Sequence, residues 1–338
     1  PPSGPPPGGM AQQARPQLHM TQTQYNGLQE YAQHIQQSDF HGKKKALLIG
    51  INYFGTKQAL RGCINDVKNV KAMVMRNFGF REDDMVILTD DQTNNPQGMP
   101  TKANILRAMR WLVSGSKPGD SLFLHFSGHG SRTEDTSGDE IDGFDDTIIP
   151  VDFAKAGEIV DDDMNEIMVR PLPQGCRLTA FFDCCHSGSA LDLPYMYDRY
   201  GNLKNNDVLK LAGKEAKSAV ESYMSGNVEG ALGSLLTGVK TFLKGDEVLQ
   251  RAQKTKSSMG DVIMFSGCKD VQTSADANIQ GQSTGALTHA LCKSLNANSR
   301  QTYLQLLNNV RGIIEAGKYT QLPQLSTGRP MDMNSLFM

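Results

Sequence analysis

Short apolar runs that recur between amphipathic stretches leave this chain few folds to choose from. KKKALLIGINY from residue 43, MVILTD from 85, SLFLHFS (121–127), RLTAFFDC (177–184) and DVIMFSG (261–267) are each dominated by apolar residues. A strand with one wet face alternates polar and apolar residues, so runs like these read as strands buried on both faces. Helical patterns lie between them. Residues 65–78 put Val67, Val70, Val74 and Phe78 on one face, Thr101 is placed to cap a helix reaching about Trp111, and Asp161 to cap another reaching about Val169. This alternation predicts an α/β fold with a mostly parallel central sheet and helices on both faces. Further helices are predicted near 285–294 and 303–316, followed by a short apolar run at 322–325.

Where the pattern fails, it marks the organisation. Residues 1–42 are rich in Pro, Gly and Gln, as in PPSGPPPGG and YAQHIQQ, with few branched apolar residues. They read as a disordered tail. From about 198 to 260 a Gly-, Ser- and Lys-rich stretch reads as a long excursion from one domain that spans 43–338. With 34 Lys and Arg against 36 Asp and Glu, a formal net charge of -2, the chain offers no basic field to a nucleic acid. No run approaches the ~20 apolar residues of a membrane-spanning helix, and no charged-then-apolar leader opens the chain. A cytoplasmic or nuclear location without membrane or nucleic-acid partners is expected. The 6 cysteines (Cys63, Cys176, Cys184, Cys185, Cys268 and Cys292) sit in a chain too long to depend on staples and read as reduced thiols.

In an open parallel sheet the ligand site lies beyond the carboxyl ends of the strands. Two segments there carry reactive groups on glycine-flanked turns: Ser127-Gly128-His129-Gly130, and Asp183-Cys184-Cys185-His186-Ser187-Gly188. A thiol needs a neighbouring base to be a good nucleophile at neutral pH, and a His about 50 residues before the Cys is a caspase-type order. His129 precedes Cys185 by 56 positions. Cys185 is therefore the candidate nucleophile of a peptidase. His129 is the base that takes the thiol proton and returns it to the leaving amine, and the Gly130 and Cys185 amides are candidate oxyanion donors. A lone Cys at a strand end is usually a small buried hydrophobe and a lone loop His a surface group; it is the pairing that outweighs both. A zinc site of Cys184, Cys185 and His129 competes, but adjacent cysteines point in different directions and no CxxC pair exists.

Carboxylates gather near the same strand ends. Asp183 lies two residues before Cys185, and Asp66 opens the first helix. A buried carboxylate pair is costly unless a cation arrives, which an Arg or Lys side chain supplies with directed hydrogen bonds. Proteins with exposed Arg or Lys are the expected substrates, although capping a helix is the plainer role for Asp66. DEIDGFDD (139–146) and Asp161, Asp162 and Asp163 form two further acidic clusters. An acidic surface loop is the commonest explanation of either, and neither has EF-hand spacing.

SGHG, DCCHSG with its LDLP continuation, and SGCKDVQTSAD resemble a metacaspase, and the Pro/Gln-rich tail with a match from about residue 43 onward is similar to the fungal type I members. The resemblance implies a caspase-like three-layer α/β/α sandwich. Its large-subunit-like part would run over about 43–240, a processing segment over about 198–260 and a small-subunit-like part over about 261–338. The family pattern DSCHSG places the nucleophile directly before His, which matches Cys185; Cys184 stands where Ser is usual, and the adjacent thiols are an oxidisable pair. Cys63, Asp66, Ser127 and Asp183 match the family's pocket for the residue before the cut. Asp145, Asp161, Asp162 and Asp192 match its metal site, which implies activation by calcium. Self-processing in the family implies cleavage at or near Lys240 or Lys244. Two other readings stand beside this one: an Asn-directed relative of the legumain type, and an interaction protein whose Gln-rich tail binds misfolded clients. No exposed apolar edge strand is legible, so a monomer is expected.

Overall fold

The computed structural model describes residues 38–136, 143–185, 187–202, 258–268, 276–279, 282–319 and 321–338. Residues 1–37 of the expected tail, and Lys240 and Lys244, lie outside them. Along the chain come β1 (Lys44–Gly50), α1 (Cys63–Phe78), β2 (Met85–Thr89), α2 (Lys102–Val113), β3 (Ser121–Ser127), β4 (Gly130–Glu134), β5 (Phe144–Ile148), α3 (Phe153–Ala156) and β6 (Ile159–Val160). They are followed by α4 (Asp161–Met168), β7 (Arg177–Asp183), β8 (Tyr195–Tyr197), β9 (Asp261–Cys268), β10 (Asp276–Ile279), β11 (Gln282–Gly285), α5 (Ala286–Ala297), α6 (Tyr303–Ala316) and β12 (Leu322–Thr327).

The apolar runs, joined by the short β8 that no run marked, form one seven-stranded sheet in the order β2-β1-β3-β7-β9-β12-β8. Strands β2, β1, β3, β7 and β9 run parallel, while β12 pairs antiparallel with both β9 and β8. Side chains alternate between two apolar layers. Leu47, Ile49, Leu124, Phe126, Ala180 and Phe182 face α2 and α4 through Ile105, Met109, Leu112, Met164 and Met168. Leu48, Phe123, Phe181, Ile263 and Phe265 face α1, α5 and α6 through Val70, Val74, Leu291, Leu307 and Val310. The expected three-layer α/β/α sandwich is thus the observed one. No helix among the described residues is long and apolar enough to cross a membrane.

Two capping expectations are corrected. Thr101 does cap α2, its hydroxyl accepting from the Asn104 amide at 3.3 Å. Asp161, by contrast, is the first residue of α4 and Val160 takes the cap position, because the Asp161 carboxylate instead accepts the Asp146 amide at 3.0 Å and the Asp162 amide at 3.0 Å. Likewise Gly62 caps α1, and Asp66 stands inside its first turn with its carboxylate directed to other elements.

What matters for the site is the register. Gly50 of β1 lies opposite Ser127 of β3, and Ser127 lies opposite Asp183 of β7. Three strands therefore end level with one another, so the turns that follow them emerge side by side. A second, three-stranded sheet, β4-β5-β6, begins immediately after His129 and carries Asp145 and Asp146 beyond the main sheet's edge. Its strands GSRTE and FDDTI lack the apolar alternation of an ordinary strand, which is why the sequence pattern did not announce them.

Candidate active site

The equal endings of β3 and β7 place His129 and Cys185 two residues past paired positions of neighbouring strands. The two turns touch: a Cβ added at Gly130 would collide with the Cys185 carbonyl oxygen, so only glycine permits the approach. Cys185 is half-buried, and its neighbour Cys184 is 1% exposed in the apolar layer that also holds Phe182. Burial drives the Cys184 thiol well above its usual range, so it stays protonated and inert. The turn that leaves β7 thus separates two adjacent cysteines into a packing residue and a reactive candidate. Cys63, Cys176, Cys184, Cys185 and Cys292 all carry reduced thiols.

His129 is positioned by a residue that sequence patterns left out. The Tyr53 ring packs on the imidazole with centroids 4.6 Å apart. Its hydroxyl accepts the His129 amide at 2.9 Å and donates to the Ile149 carbonyl at 2.7 Å, while the Ile149 amide donates to the His129 carbonyl at 3.1 Å. Tyr53 holds a left-handed φ of 51°, a conformation that costs an aromatic residue energy and persists because these contacts fix it. The imidazole Nε2 lies 2.7 Å from the Gln58 carbonyl oxygen, which can only accept. Nε2 therefore carries the hydrogen, and in the neutral ring the lone pair resides on Nδ1.

Beside Cys185, on the α1 and α5 side of the sheet, lies the acidic pair. Asp66 is wholly buried and Asp183 is 2% exposed. Ser127 donates to Asp66 Oδ2 at 2.7 Å, Thr284 donates to Oδ1, and the Gly285 amide reaches both oxygens at 3.0 Å. Asp183 accepts the Thr288 amide at 2.7 Å and the Gln321 side-chain amide at 3.3 Å. A Cβ at Gly285 would collide with the Asp183 carboxylate and come within 3.0 Å of Asp66 Oδ2, so both acids close on one glycine. Burial, then repulsion by Asp183, pushes the Asp66 carboxyl up to about 8. Beneath them His125 is fully buried, its Nε2 3.2 Å from the Thr288 hydroxyl, and burial pushes it down to about 3 so that it stays neutral. Ser127, Asp66 and Asp183 lie together, with Cys63 buried at the start of α1. Thr284, Gly285, Thr288 and Gln321 join them from more than 100 residues away, and no local pattern marks them.

The second acidic group forms where β5, α4 and the turn after Leu191 meet. Asp145, Asp161 and Asp192 are buried, and Asp192 takes a left-handed φ of 51°. Asp146 is held by Arg132 at 3.1 Å and by the Ser189 hydroxyl at 2.8 Å. Burial, then the charge of Asp192 with smaller shares from Asp146 and Asp145, pushes the Asp161 carboxyl up to about 8. Carboxylates that repel each other in this way fit a hard divalent cation in their donor chemistry. Among the described residues, however, no group of three His, Cys, Asp or Glu side chains is already arranged as a metal cage.

The chain as a whole is similar to known proteins of one family. A family profile described as metacaspase, peptidase C14 domain, matches residues 44–194. Metacaspase-1 of Coccidioides immitis is 55% identical over 303 residues, covering 90% of this chain and 65% of that protein. Metacaspase-1 of Emericella nidulans is 55% identical over 304 residues, covering 90% and 75%. Metacaspase-1A of Aspergillus fumigatus is likewise 55% identical, covering 90% and 73%. The chain therefore spans only part of each relative's length. A solved protein of Geobacter sulfurreducens shares the fold at a TM-score of 0.52 and 22% identity, covering 86% of this chain and 95% of that one. With 55% identity over nine-tenths of its length to such relatives and their peptidase domain profile on its sheet, the chain belongs to the metacaspase family.

Proposed function

We propose that this metacaspase is a calcium-dependent cysteine endopeptidase that cuts after Arg or Lys, with Cys185 as nucleophile and His129 as base. What supports the specificity is the buried Asp66 and Asp183 pair, Asp183 ending β7 two residues before Cys185, which favours a cationic side chain before the cut. Cys63 and Ser127 complete that pocket's wall.

His129 Nδ1 takes the Cys185 proton, and the thiolate attacks the scissile carbonyl carbon. The carbonyl oxygen gains the negative charge, and the Gly130 and Cys185 amides stabilise it. Collapse breaks the C–N bond; the proton on His129 goes to the leaving amine, and water then hydrolyses the thioester with His129 again as base. Throughout, the Gln58 carbonyl holds Nε2–H and Tyr53 holds the ring, so Nδ1 faces one way.

Asp145, Asp161, Asp162 and Asp192 would hold calcium, which supplies positive charge to relieve their repulsion and order the turns around Ser189 and Asp146. Self-cleavage at or near Lys240 or Lys244 follows from the same preference. Cleavage of an Arg peptide and an Asp peptide, each with calcium or excess chelator, tests the reading. The expected result is hydrolysis of the Arg peptide alone, with calcium alone, abolished by Cys185→Ala. Equal hydrolysis of both peptides, or undiminished hydrolysis in chelator, overturns the specificity or the calcium requirement respectively.

A further inference from the structure

The donors around the two pocket acids differ in kind. Asp183 is held by the Thr288 backbone amide, which can only donate, and by the NH2 of the Gln321 side chain. Both acids meet the start of a helix, Asp66 in the first turn of α1 and Asp183 at the first turn of α5, so the helix dipoles favour negative charge on the pair without choosing between them. Asp66 also accepts one backbone amide, that of Gly285, but its other partners are hydroxyls, those of Ser127 and Thr284. A hydroxyl both donates and accepts, so these partners can turn to receive a proton from Asp66 or give one to it.

We propose that the unliganded pocket carries one negative charge, with the proton on Asp66 and the charge on Asp183, and that a substrate's guanidinium or ammonium group enters in exchange for that proton. The balance is simple. Before binding, a carboxylic acid and a carboxylate give a net charge of minus one. Afterwards two carboxylates and one cation give the same charge, and the proton has gone to solvent. The two buried acids are therefore never both ionised before the cation arrives, a state their burial and mutual repulsion would penalise. The groups facing Asp66 agree with this assignment: Asp183 from β7, Cys292 from α5, its thiol pushed up to about 12 by burial and these carboxylates, and neutral His125 from β3 through Thr288. The Asp66 carboxyl itself, at about 8, holds its proton at neutral pH. Thr284 and Gln321 donate through rotatable side chains and are the partners that swing aside for the cation, while the Gly285 and Thr288 backbone amides stay.

This inference rests on the basic preference proposed above, and calorimetry separates the two. The full chain carrying Cys185→Ala, with calcium present, is titrated with a peptide bearing one Arg before the cleavage position and with its neutral citrulline analogue. Titrations at pH 6.5 in buffers of different ionisation enthalpy count the protons released. About one proton per Arg peptide bound is expected and close to none for citrulline, and Arg affinity should rise ~tenfold per pH unit from 5.5 to 7.5. Asp66→Asn, which keeps shape without the titrating group, should bind the Arg peptide with no proton release. Arg binding without proton release in the Cys185→Ala chain overturns the exchange and leaves the basic preference standing. Absence of any preference for Arg over citrulline overturns both.

Discussion

Replacing Tyr53 with Phe removes a single oxygen and strips the partner from two buried backbone groups at once. The Tyr53 hydroxyl accepts the His129 amide at 2.9 Å and donates to the Ile149 carbonyl at 2.7 Å, in a side chain only 2% exposed. A buried polar group left without a partner costs about 1–3 kcal/mol, so the pair of losses comes to about 2–4 kcal/mol once the backbone relaxes. For a domain of this size that is a fall in Tm of roughly 3–6 °C. Catalysis should suffer separately. The left-handed turn at Tyr53 is held by the same contacts, and a displacement of about 1 Å in a catalytic group costs ~10²-fold. Tyr53 lies on the His129 side and not among the donors to Asp66 and Asp183, so the loss should fall on kcat and leave KM for an Arg peptide near its starting value. Initial rates on a fluorogenic Arg peptide, together with thermal unfolding, measure both quantities. A variant with unchanged kcat, or one in which only KM rises, refutes the assignment of Tyr53 as the residue that positions His129.

Three further outcomes are expected. Gly285→Ala should lower kcat/KM on Arg peptides by ~10²-fold or more, since its Cβ would collide with the Asp183 carboxylate, while iodoacetamide should still alkylate Cys185; normal kinetics would show that the acids are not clamped on this glycine. Peptide mapping after brief iodoacetamide treatment of the native chain should find Cys185 modified and Cys184 intact, because Cys184 is 1% exposed; equal labelling would mean that the turn after β7 does not separate them. In excess chelator, stability should fall as pH rises from about 4 to 8. Asp66 and Asp161 are both raised to about 8 when folded against roughly 3.9 unfolded, so in that window the folded chain binds more protons. Each contributes a slope of at most about 1.4 kcal/mol per pH unit, its stabilisation complete below the unfolded value and lost as pH approaches 8. Melting curves from pH 5 to 8 check this: Asp161→Asn should flatten the trend and calcium should oppose it, whereas a Tm that climbs with pH contradicts the sign.

The strands of the main sheet apart from β8 were legible because continuous apolar runs have few alternatives, and α1 because Val67, Val70, Val74 and Phe78 recur at helical spacing; the three-residue β8 was too short to give a pattern. His129 and Cys185 were legible for a related reason: each stands just past a strand end, and parallel strands bring their carboxyl ends to one edge. Asp161 was misplaced as a cap because a short-range rule assigned its carboxylate to its own helix, while two amides, one from β5, claimed it. Tyr53 also follows a strand end, yet only its packing on His129 separates it from Asn52 and Phe54 beside it. Thr284 and Gly285 reach Asp66 across 218 and 219 positions, with no periodicity to announce the meeting.

The sequence by itself thus determined the layers of the sheet, the turn that holds each reactive residue and the acidic character of their surroundings, because these depend on periodicity and residue type within a few positions. Tertiary structure alone decided which thiol is buried, which imidazole nitrogen keeps its hydrogen, and which small residues clamp the two acids. Those outcomes depend on the register of β3 against β7 and on α5 folding back over α1. Contacts made across such distances in the chain leave no local trace, since each depends on groups that come together only when the sheet and its two helical layers have closed.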